Sequence, residues 1–376
     1  MSLFTLEAEN LTGKARAGIL KTSHGLIPTP IFMPVGTQGA VKAMTHEILR
    51  ELDTKIILGN TYHLYLRPGE EVISHFGGLH DFIKWDRPIL TDSGGYQVFS
   101  LKELRKITEE GVKFRSHIDG SKHFFSPEKV IDIERCLGSD FVMVLDECIE
   151  YPTEFIQARK SMEMTLRWAK RCKEAFDTSN PRYNHEQFIL GIGQGSMFPE
   201  LRKECLLGLT DIGFDAYALG GLSVGEPTET MYEITDFSTD FLPKNQARYL
   251  MGVGTPENIL ECIDRGIDMF DCVLPTRNAR NGQLFTTRGK INIRNNKYKF
   301  CDEAIDSNLP FSFSKNYSLA YLRHLFISGE ILGLILSTVQ NIGFYLWLVR
   351  TAREKILQGT YRQWKDGFLQ LYNNKD

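Results

Sequence analysis

The sequence predicts an α/β protein built on a (β/α)8 barrel of the TIM type, a closed ring of eight parallel strands each followed by a helix. Eight short apolar runs recur along the chain, and each ends in a polar or glycine-rich turn. Most of them are continuously apolar rather than alternating, as is typical of parallel strands covered on both faces. Helix-like segments separate the runs, and this repeated order of strand, turn and helix indicates the barrel.

The eight predicted strands are residues 29–37, 55–59, 88–92, 140–146, 188–194, 216–220, 249–254 and 269–275. Among the helices, residues 126–137 begin with Ser126 and Pro127, a favourable N-cap and first-turn pair. A doubly wound α/β sheet is the rival fold. It gives no reason for functional-looking residues at so many strand ends.

Additional segments decorate the predicted barrel. Residues 4–26 are expected to form short antiparallel strands that close its bottom. Residues 112–125 alternate around an Asp-Gly pair after the third strand, which predicts a hairpin, and residues 282–295 predict another. We therefore assign residues 1–296 to a catalytic barrel with hairpin insertions and residues 297–376 to a helical C-terminal subdomain.

Residues 331–349 contain no charge over 19 positions, close to the length of a membrane span. The stretch nevertheless includes Gln340 and Asn341 together with two glycines. We therefore predict two amphipathic core helices, broken near residues 340–343, rather than a membrane-spanning helix.

Bulk composition is that of a soluble globular protein, with 376 residues, 42% hydrophobic residues and a net charge of −3. Such a charge does not predict nucleic-acid binding, so any phosphate contact would need a local basic patch. The seven cysteines include no C-x-x-C pair, which favours reduced thiols and the cytoplasm. The first residues also lack the pattern of a signal peptide.

In a barrel of this kind the active site lies at the carboxyl ends of the strands. The residues found there are Asp92, Asp146, Gln194, Gly220, Gly221, Gly252 and Asp271. Three carboxylates in one ring indicate function, because a buried charge is costly unless it is paired or used. The alternatives are a helix N-cap for Asp92 and salt-bridged structural roles for Asp146 and Asp271. Two carboxylates facing a sugar suit glycosyl transfer, in which one attacks the anomeric carbon and the other carries the leaving group's proton.

Seven motifs occur in order along almost the whole chain: TDSGGYQVFS (91–100), DECIEYP (146–152), GIGQGS (191–196), ALGGLSVGE (218–226), MGVGTPE (251–257), MFDCVLPTRNARNGQLFT (269–286) and NYSLAYLRHLF (316–326). The ordered set closely resembles the motifs of bacterial-type tRNA-guanine transglycosylases. The resemblance implies a homodimeric enzyme that exchanges the wobble guanine of GUN-anticodon tRNAs for a 7-deazaguanine, in queuosine modification.

The resemblance also implies roles for individual residues. Asp271 would be the nucleophile that forms a covalent ribosyl-enzyme, and Asp92 would be the general acid/base. Asp146, Gln194 and the Gly221 amide would read the edge of the base. Tyr96 and Met251 would sandwich it. The full set of implied base-binding positions is Ser93, Gly94, Gly95, Tyr96, Asp146, Cys148, Gln194, Gly220, Gly221, Leu222, Val224, Glu226 and Met251.

The same resemblance implies that Arg277 and Arg280 hold the anticodon loop, with the wobble nucleotide flipped out of its stack. The implied RNA-binding positions are Gly252, Val253, Gly254, Thr255, Pro256, Glu257, Asn258, Thr276, Arg277, Asn278, Ala279 and Arg280. A solvated loop is the alternative for the two arginines. Thr255 stands where the family commonly has a lysine, which removes one potential phosphate contact.

The sequence departs from the family at its C-terminal zinc site. The positions of the three cysteine ligands and the histidine ligand are occupied by Leu309, Phe311, Ser314 and Gln340. None of these is a good zinc ligand, and Cys301 is out of register. We therefore expect no structural zinc and no other cofactor, with apolar packing in place of the metal. In the family this subdomain lies near the homodimer interface, so the strength of the dimer stays open.

The identity of the incoming base also stays open. Val224 and Cys148 resemble the bacterial pattern, whose pocket suits 7-aminomethyl-7-deazaguanine, whereas the eukaryotic pattern has a glycine that makes room for queuine. Glu226 could pair with a cationic aminomethyl group. Both bases carry an amine, so neither is excluded.

Other functions fit the sequence less well. A metal-dependent barrel hydrolase would need histidine and aspartate ligands at the strand ends, where no histidine stands. A non-catalytic tRNA-binding subunit of a transglycosylase dimer should lack the acid pair, although the missing zinc ligands keep that alternative open. An archaeal-type enzyme would carry further RNA-binding domains, and the TRNAR segment disfavours a relative that modifies DNA.

Overall fold

The computed structural model describes residues 3–10, 12–95 and 105–373, and a parallel eight-stranded barrel lies at its centre. The barrel strands are β4 (Ile31–Met33), β5 (Ile57–Asn60), β6 (Ile89–Asp92), β10 (Phe141–Met143), β11 (Phe188–Gly193), β12 (Ala216–Leu219), β13 (Arg248–Leu250) and β14 (Met269–Asp271). They follow one another around the ring in chain order, and β14 pairs with β4. Backbone hydrogen bonds from Gly36 N to Leu58 O (2.7 Å) and from Leu58 N to Pro34 O (3.0 Å) close it. The predicted barrel is confirmed.

Helices follow the barrel strands. Their bounds are α1 (His46–Glu51), α2 (Thr61–Leu66), α3 (Glu70–His75), α4 (Leu79–Ile83), α5 (Pro127–Leu137), α6 (Phe155–Thr178), α7 (Pro199–Ile212), α8 (Thr228–Thr239), α9 (Pro256–Asp264) and α10 (Leu274–Arg280). Helix α5 begins as its sequence predicts: the Ser126 side chain accepts from the Lys129 N–H, and Pro127 occupies the first turn.

Antiparallel strands supplement the barrel in the described chain. Strands β1 (Phe4–Glu9), β2 (Arg16–Thr22) and β3 (Gly25–Thr29) form a sheet at its amino-terminal end, where Arg16 reaches Asp268 at the start of β14. The predicted hairpin at 112–125 is part of a three-stranded sheet, made of β7 (Arg105–Thr108), β8 (Gly111–Arg115) and β9 (Lys122–Phe125). Strands β15 (Gln283–Thr286) and β16 (Gly289–Asn292) form the second predicted hairpin.

The C-terminal part is helical, as predicted. A 3-10 turn (Asn296–Tyr298) precedes α11 (Ser312–Asn316), α12 (Leu319–Ser328), α13 (Ile331–Leu357) and α14 (Tyr361–Asn373). Residues of α13 belong to the main hydrophobic core together with the barrel, while a smaller apolar cluster lies between β15 and α12. The division of the chain at residue 297 stays a prediction.

The predicted break near residues 340–343 is wrong, because α13 is one continuous helix of 27 residues. The polar side chains that suggested a break bond to neighbouring elements instead. Asn341 accepts from Phe285 N (2.8 Å) and donates to Gln283 O (3.0 Å), and Gln340 donates to Phe285 O (3.0 Å). In the described chain α13 is the one helix long and apolar enough to cross a membrane, yet 72% of that apolar window is buried inside the protein. It is a core helix.

Candidate active site

Asp92 ends strand β6, and its carboxylate is held by three donors from the neighbouring strand end and turn. Asn60 Nδ2 donates to Oδ2 (2.6 Å), while the backbone N–H groups of Thr61 (3.2 Å) and Gly94 (2.9 Å) donate to Oδ1. Burial raises the pKa of Asp92 to about 7, against these hydrogen bonds. A carboxyl group with that pKa can both give and take a proton near neutral pH.

Asp271 ends strand β14 on the same rim. Its Oδ1 accepts from the Tyr249 hydroxyl (2.6 Å) and from the Gly252 backbone N–H (2.7 Å). Burial raises the pKa of Asp271, and these two hydrogen bonds oppose the rise. The donors therefore favour the ionised form that a nucleophile needs.

The two aspartates interact electrostatically, since the charge of Asp271 adds to the rise in the pKa of Asp92. Among the described residues, the groups that shift the pKa of Asp92 and Asp271 include no cation. Two half-buried carboxylates without a cationic partner are costly to the fold, and this cost is typical of groups placed for catalysis.

A buried carboxyl group lies behind Asp92. Glu134 on α5 accepts from the Thr61 hydroxyl at 2.8 Å and from the Thr91 hydroxyl, and burial raises its pKa well above the usual range. It fixes the strand ends from which Asp92 and its donors project.

The predicted base-reading residues Asp146 and Gln194 form one unit. Gln194 Nε2 donates to Asp146 Oδ2 at 2.7 Å, and burial raises the pKa of Asp146 to about 6. Gln194 lies against the glycine turn after β12: a Cβ on Gly220 would come within 2.7 Å of its Nε2, and one on Gly221 within 2.4 Å of its Oε1. The turn therefore needs glycine at both positions, and Gly221 also has a positive φ of 63°.

Arg202 on α7 supports this unit from below, and its role was not predicted from the sequence. The fully buried guanidinium donates to the carbonyls of Ser196 (2.8 Å), Gly193 (2.9 Å) and Gly220 (2.7 Å). It thereby ties the ends of β11 and β12 together. The neighbouring Cys148 is a thiol, because burial raises its pKa to about 12.

The remaining predicted base-binding positions lie on turns around this rim. Gly94 has a φ of 73°, and a Cβ there would come within 2.8 Å of Tyr62 N. Ser93 is buried and accepts from Gly95 N (3.3 Å). After β12, Leu222 is buried and Val224 is half-buried, and after β13 Met251 is half-buried as well. Tyr96 lies outside the described residues.

Glu226 binds its own turn. Its two carboxylate oxygens accept from the backbone N–H groups of Ser223 and Val224, the latter at 2.9 Å. If Glu226 pairs with an aminomethyl group as predicted, its carboxylate must bind that group as well as these two N–H groups.

The predicted RNA-binding turn at 252–258 combines exposed and structural positions. Gly252 is exposed, whereas Val253, Gly254 and Pro256 are buried. Thr255 caps α9 by accepting from Asn258 N (3.2 Å), which gives the residue at the family's lysine position a structural role. Two more side chains are already engaged: Glu257 pairs with Lys290 at 2.9 Å, and the Asn258 side chain accepts from Tyr232 at 2.7 Å.

The second predicted RNA-binding segment is helix α10 and not a loop. Arg277 is exposed and Arg280 is half-buried, so both can reach a ligand outside the protein. Thr276 and Ala279 are buried in the packing of this helix, and Asn278 donates to Gln283 at 2.7 Å. The side chains of Thr276, Ala279 and Asn278 make contacts within the protein and support the surface of α10.

The positions of the family's zinc ligands do not fit a metal. Leu309 is fully buried in the main core, and the Phe311 ring stacks on Phe313 at 5.3 Å. The Ser314 hydroxyl donates to Gln340 Oε1 at 2.7 Å. An alkyl group, an aromatic ring and a hydrogen-bonded hydroxyl–amide pair replace the thiolates and imidazole that zinc requires.

Sequence reasoning missed Asn60 and Tyr249, the two side chains that donate to Asp92 and Asp271. A signal existed for Asn60, because it is the polar residue directly after the run at 55–59. Tyr249 stands within an apolar run, and nothing in the pattern distinguishes its hydroxyl from that of a core tyrosine.

Comparison with known proteins gives a consistent result. Residues 10–374 match the family model described as queuine tRNA-ribosyltransferase. The queuine tRNA-ribosyltransferase of Caldanaerobacter subterraneus subsp. tengcongensis is 56% identical over 359 residues, which cover 96% of this chain and 94% of that protein. The proteins of the same name from Oleidesulfovibrio alaskensis and Acinetobacter baylyi are 52% and 51% identical, each over 98% of this chain and over 96% and 94% of their own lengths.

Proposed function

Since this chain belongs to the queuine tRNA-ribosyltransferase family, we propose that Asp271 and Asp92 perform the base exchange of that family on tRNA. The protein is a tRNA-guanine transglycosylase, a pentosyltransferase of queuosine modification. The observation that supports the residue assignment best is the pair of half-buried aspartates on one rim, which interact with each other and whose pKa values are raised. A non-catalytic subunit is not favoured, because this pair is complete.

In the first step the Asp271 carboxylate attacks C1′ of the guanosine ribose while the C1′–N9 bond breaks. Asp92 gives its proton to the departing guanine, which leaves as the neutral base. The products are a ribosyl ester on Asp271 and an ionised Asp92. Hydrogen bonds from Tyr249 and Gly252 hold the attacking carboxylate in place.

In the second step N9 of the incoming 7-deazaguanine attacks C1′ and releases the Asp271 carboxylate. The N9 proton passes to Asp92, which is thereby ready for another cycle. Two displacements at the same carbon retain its configuration.

The linked Asp146 and Gln194 are proposed to bind the base edge, with the Gly221 amide. Gln194 has given one N–H to Asp146, so its Oε1 remains to accept from the base. Tyr96 and Met251 would lie on the two faces of the base. Val224 favours 7-aminomethyl-7-deazaguanine over queuine as the incoming base.

The RNA partner is proposed to be a tRNA with a GUN anticodon whose wobble nucleotide is flipped into the site. The flip is required because the anomeric carbon is out of reach in a stacked loop. Arg277 and Arg280 on α10 would contact the phosphates beside it, since both are accessible. We also propose a cytoplasmic homodimer.

The C-terminal subdomain is proposed to fold without the zinc ion of the family. The Ser314–Gln340 hydrogen bond and the stacked Phe311 and Phe313 rings take the place of the metal ligands. Titration with Co²⁺ should therefore give no thiolate-to-cobalt charge-transfer absorption. Such a band would contradict the proposal.

The exchange is tested by release of labelled guanine from a GUN-anticodon tRNA, with each candidate base offered separately. Wild type should release guanine and Asp271→Ala should not, and the base that supports release identifies the substrate. A folded wild-type protein that binds tRNA but exchanges neither base would contradict the proposal and favour a non-catalytic partner.

A further inference from the structure

Three histidines from distant parts of the chain meet at the amino-terminal end of the barrel, opposite the catalytic pair. His24 lies in the turn between β2 and β3, His80 in α4 and His185 before β11. One ring nitrogen from each lies within 4.8 Å of the others. Within the described residues, this is the one group of three or more potential ligand side chains placed to share a metal ion.

Hydrogen bonds fix which nitrogens of His24 and His185 are free. His185 Nε2 lies 2.8 Å from Gly138 O, and since a carbonyl only accepts, this nitrogen carries the proton and Nδ1 has the lone pair. His24 Nδ1 lies 2.8 Å from Asp140 Oδ1 and, beside a carboxylate, is the donor, so Nε2 has the lone pair in the neutral imidazole. A ligand histidine typically donates its other N–H to a carboxylate or carbonyl in this way.

Both ring nitrogens of the third histidine, His80, are buried without a hydrogen-bond partner. Its Nε2 is 3.1 Å from Asp140 Oδ2, close enough for charge attraction but too poorly aligned for a hydrogen bond. The ring is 11% exposed and stacks on His24 at 3.8 Å, while His185 meets His24 edge-on at 4.7 Å. Buried polar atoms without partners are rare and call for an explanation.

We propose that His24, His80 and His185 bind one divalent transition metal ion of the zinc class, with Asp140 as the buried carboxylate behind them. Neutral imidazole is a good ligand for such ions, and three of them leave a fourth position for water. The ligand nitrogens lie within 4.8 Å of one another, and bonds of about 2.0–2.1 Å would bring them to roughly 3.3 Å, so they must close by up to about 1.5 Å.

A metal here would join three separate pieces of the fold. The β2–β3 turn, helix α4 and the segment before β11 are contributed by different parts of the chain, and the histidine cluster with Asp140 is one of their contacts. The role is structural, because the catalytic aspartates lie at the other end of the strands.

The test is titration of chelator-treated full-length protein with Co²⁺, followed by competition with Zn²⁺. Wild type should develop d–d absorption that saturates at one equivalent per chain, without a thiolate charge-transfer band, and Zn²⁺ should abolish it. His80→Ala and His185→Ala should each weaken binding at least about 100-fold. His75→Ala, which removes an exposed histidine from α3, should leave it unchanged.

Wild-type protein that gains no such absorption would overturn the proposal, and this result does not depend on any variant folding. So would equal weakening by His75→Ala, or unchanged stoichiometry in both folded cluster variants. Guanine exchange is expected to persist in the cluster variants, so failure of the metal site is distinguishable from failure of the proposed function.

Discussion

The two ends of the barrel use aspartate in opposite ways, and strand β14 shows the difference within a few residues. Asp268, before the strand, accepts from Arg16 Nε (3.0 Å) and from the Arg248 backbone N–H (2.7 Å). Asp271, at its end, accepts from a hydroxyl and one backbone N–H, and burial raises its pKa.

Strand β10 repeats the contrast. Asp140 precedes it and receives hydrogen bonds from His24 and Ile89 N. Although burial acts to raise it, the contacts with His24 and His80 lower the pKa of Asp140 below its usual range. Asp146, beyond the other end, faces Gln194, and burial raises its pKa to about 6.

This contrast indicates which carboxylates stabilise the fold. At the amino-terminal end Asp268 and Asp140 join segments and each has a basic side chain beside it, so their burial is compensated. At the carboxyl end burial is not compensated by a cation among the described residues, and the resulting instability accompanies chemical reactivity. Substitution of matched aspartates at the two ends should therefore separate stability from activity.

Among variants that keep the Asp271 nucleophile, the largest expected effect is that of Asp92→Asn on catalysis. Loss of the proton carrier should lower kcat about 10²–10⁴-fold. In wild type the first step needs Asp92 protonated and Asp271 ionised. The value of kcat/KM should therefore fall as pH rises through about 7, the raised pKa of Asp92. It should also fall at low pH, where Asp271 becomes protonated. The two apparent values belong to the interacting pair. Guanine-exchange rates measured across this range check the profile, and an alkaline limb that persists unchanged in Asp92→Asn would contradict the assignment.

The stability comparison is sharpest for Asp268→Asn against Asp271→Asn. Asp268→Asn leaves Arg16, 1% exposed, without its charge partner and should cost about 3–5 kcal/mol. Asp271→Asn keeps an oxygen for Tyr249 and Gly252 and removes a half-buried charge, so it should gain about 0.5–2 kcal/mol at neutral pH while abolishing exchange.

The pH dependence of this gain follows from its sign. Because the folded-state pKa of Asp271 is raised, wild type loses stability as pH rises from the ordinary aspartate value through the raised one. The advantage of Asp271→Asn should therefore appear above that window and vanish at acidic pH. Denaturant unfolding at both pH values measures it. Equal destabilisation by the two variants would contradict the proposed difference between the barrel ends.

Much of this arrangement could be predicted from sequence. Continuous apolar runs predicted the barrel strands, and the residues after them predicted where Asp92, Asp146 and Asp271 would lie. These inferences depend on local pattern and on the fact that parallel strand ends share one rim.

Other features depend on tertiary contacts that no local pattern contains. Gln340 and Asn341 read as a helix break because their amides are usually solvated, but β15 supplies their partners 55 to 58 residues away. The histidine cluster is similarly invisible, since its members are spread from residue 24 to residue 185. Burial of Thr276 and Ala279 could not be predicted because it depends on the packing of α10.

A smaller effect is expected for Tyr249→Phe. It removes the hydroxyl that donates to Asp271 at 2.6 Å. A hydrogen bond to a charged acceptor contributes about 1.5–3 kcal/mol, so kcat should fall about 10–100-fold. Since that bond lowers the pKa of Asp271, the acid limb of the pH profile should move to higher pH. The matched control is Tyr217→Phe, whose hydroxyl instead lies 3.4 Å from Phe214 N at the other barrel end and should leave both quantities unchanged.

The smallest expected effect concerns RNA binding at the carboxyl rim. Arg277→Ala removes one exposed cation from α10, so tRNA affinity should fall a few-fold and the slope of log affinity against log salt should flatten by about 0.7–1. Arg182→Ala is the matched control, since Arg182 pairs with Asp132 (2.6 Å) in the segment that leads to the amino end of β11. Binding isotherms at several salt concentrations compare them. If both variants flatten the slope equally, the tRNA contact is not confined to the carboxyl rim; if only Arg277→Ala does so, α10 contacts the phosphates and the two ends of the barrel differ in their ligands as well as in their aspartates.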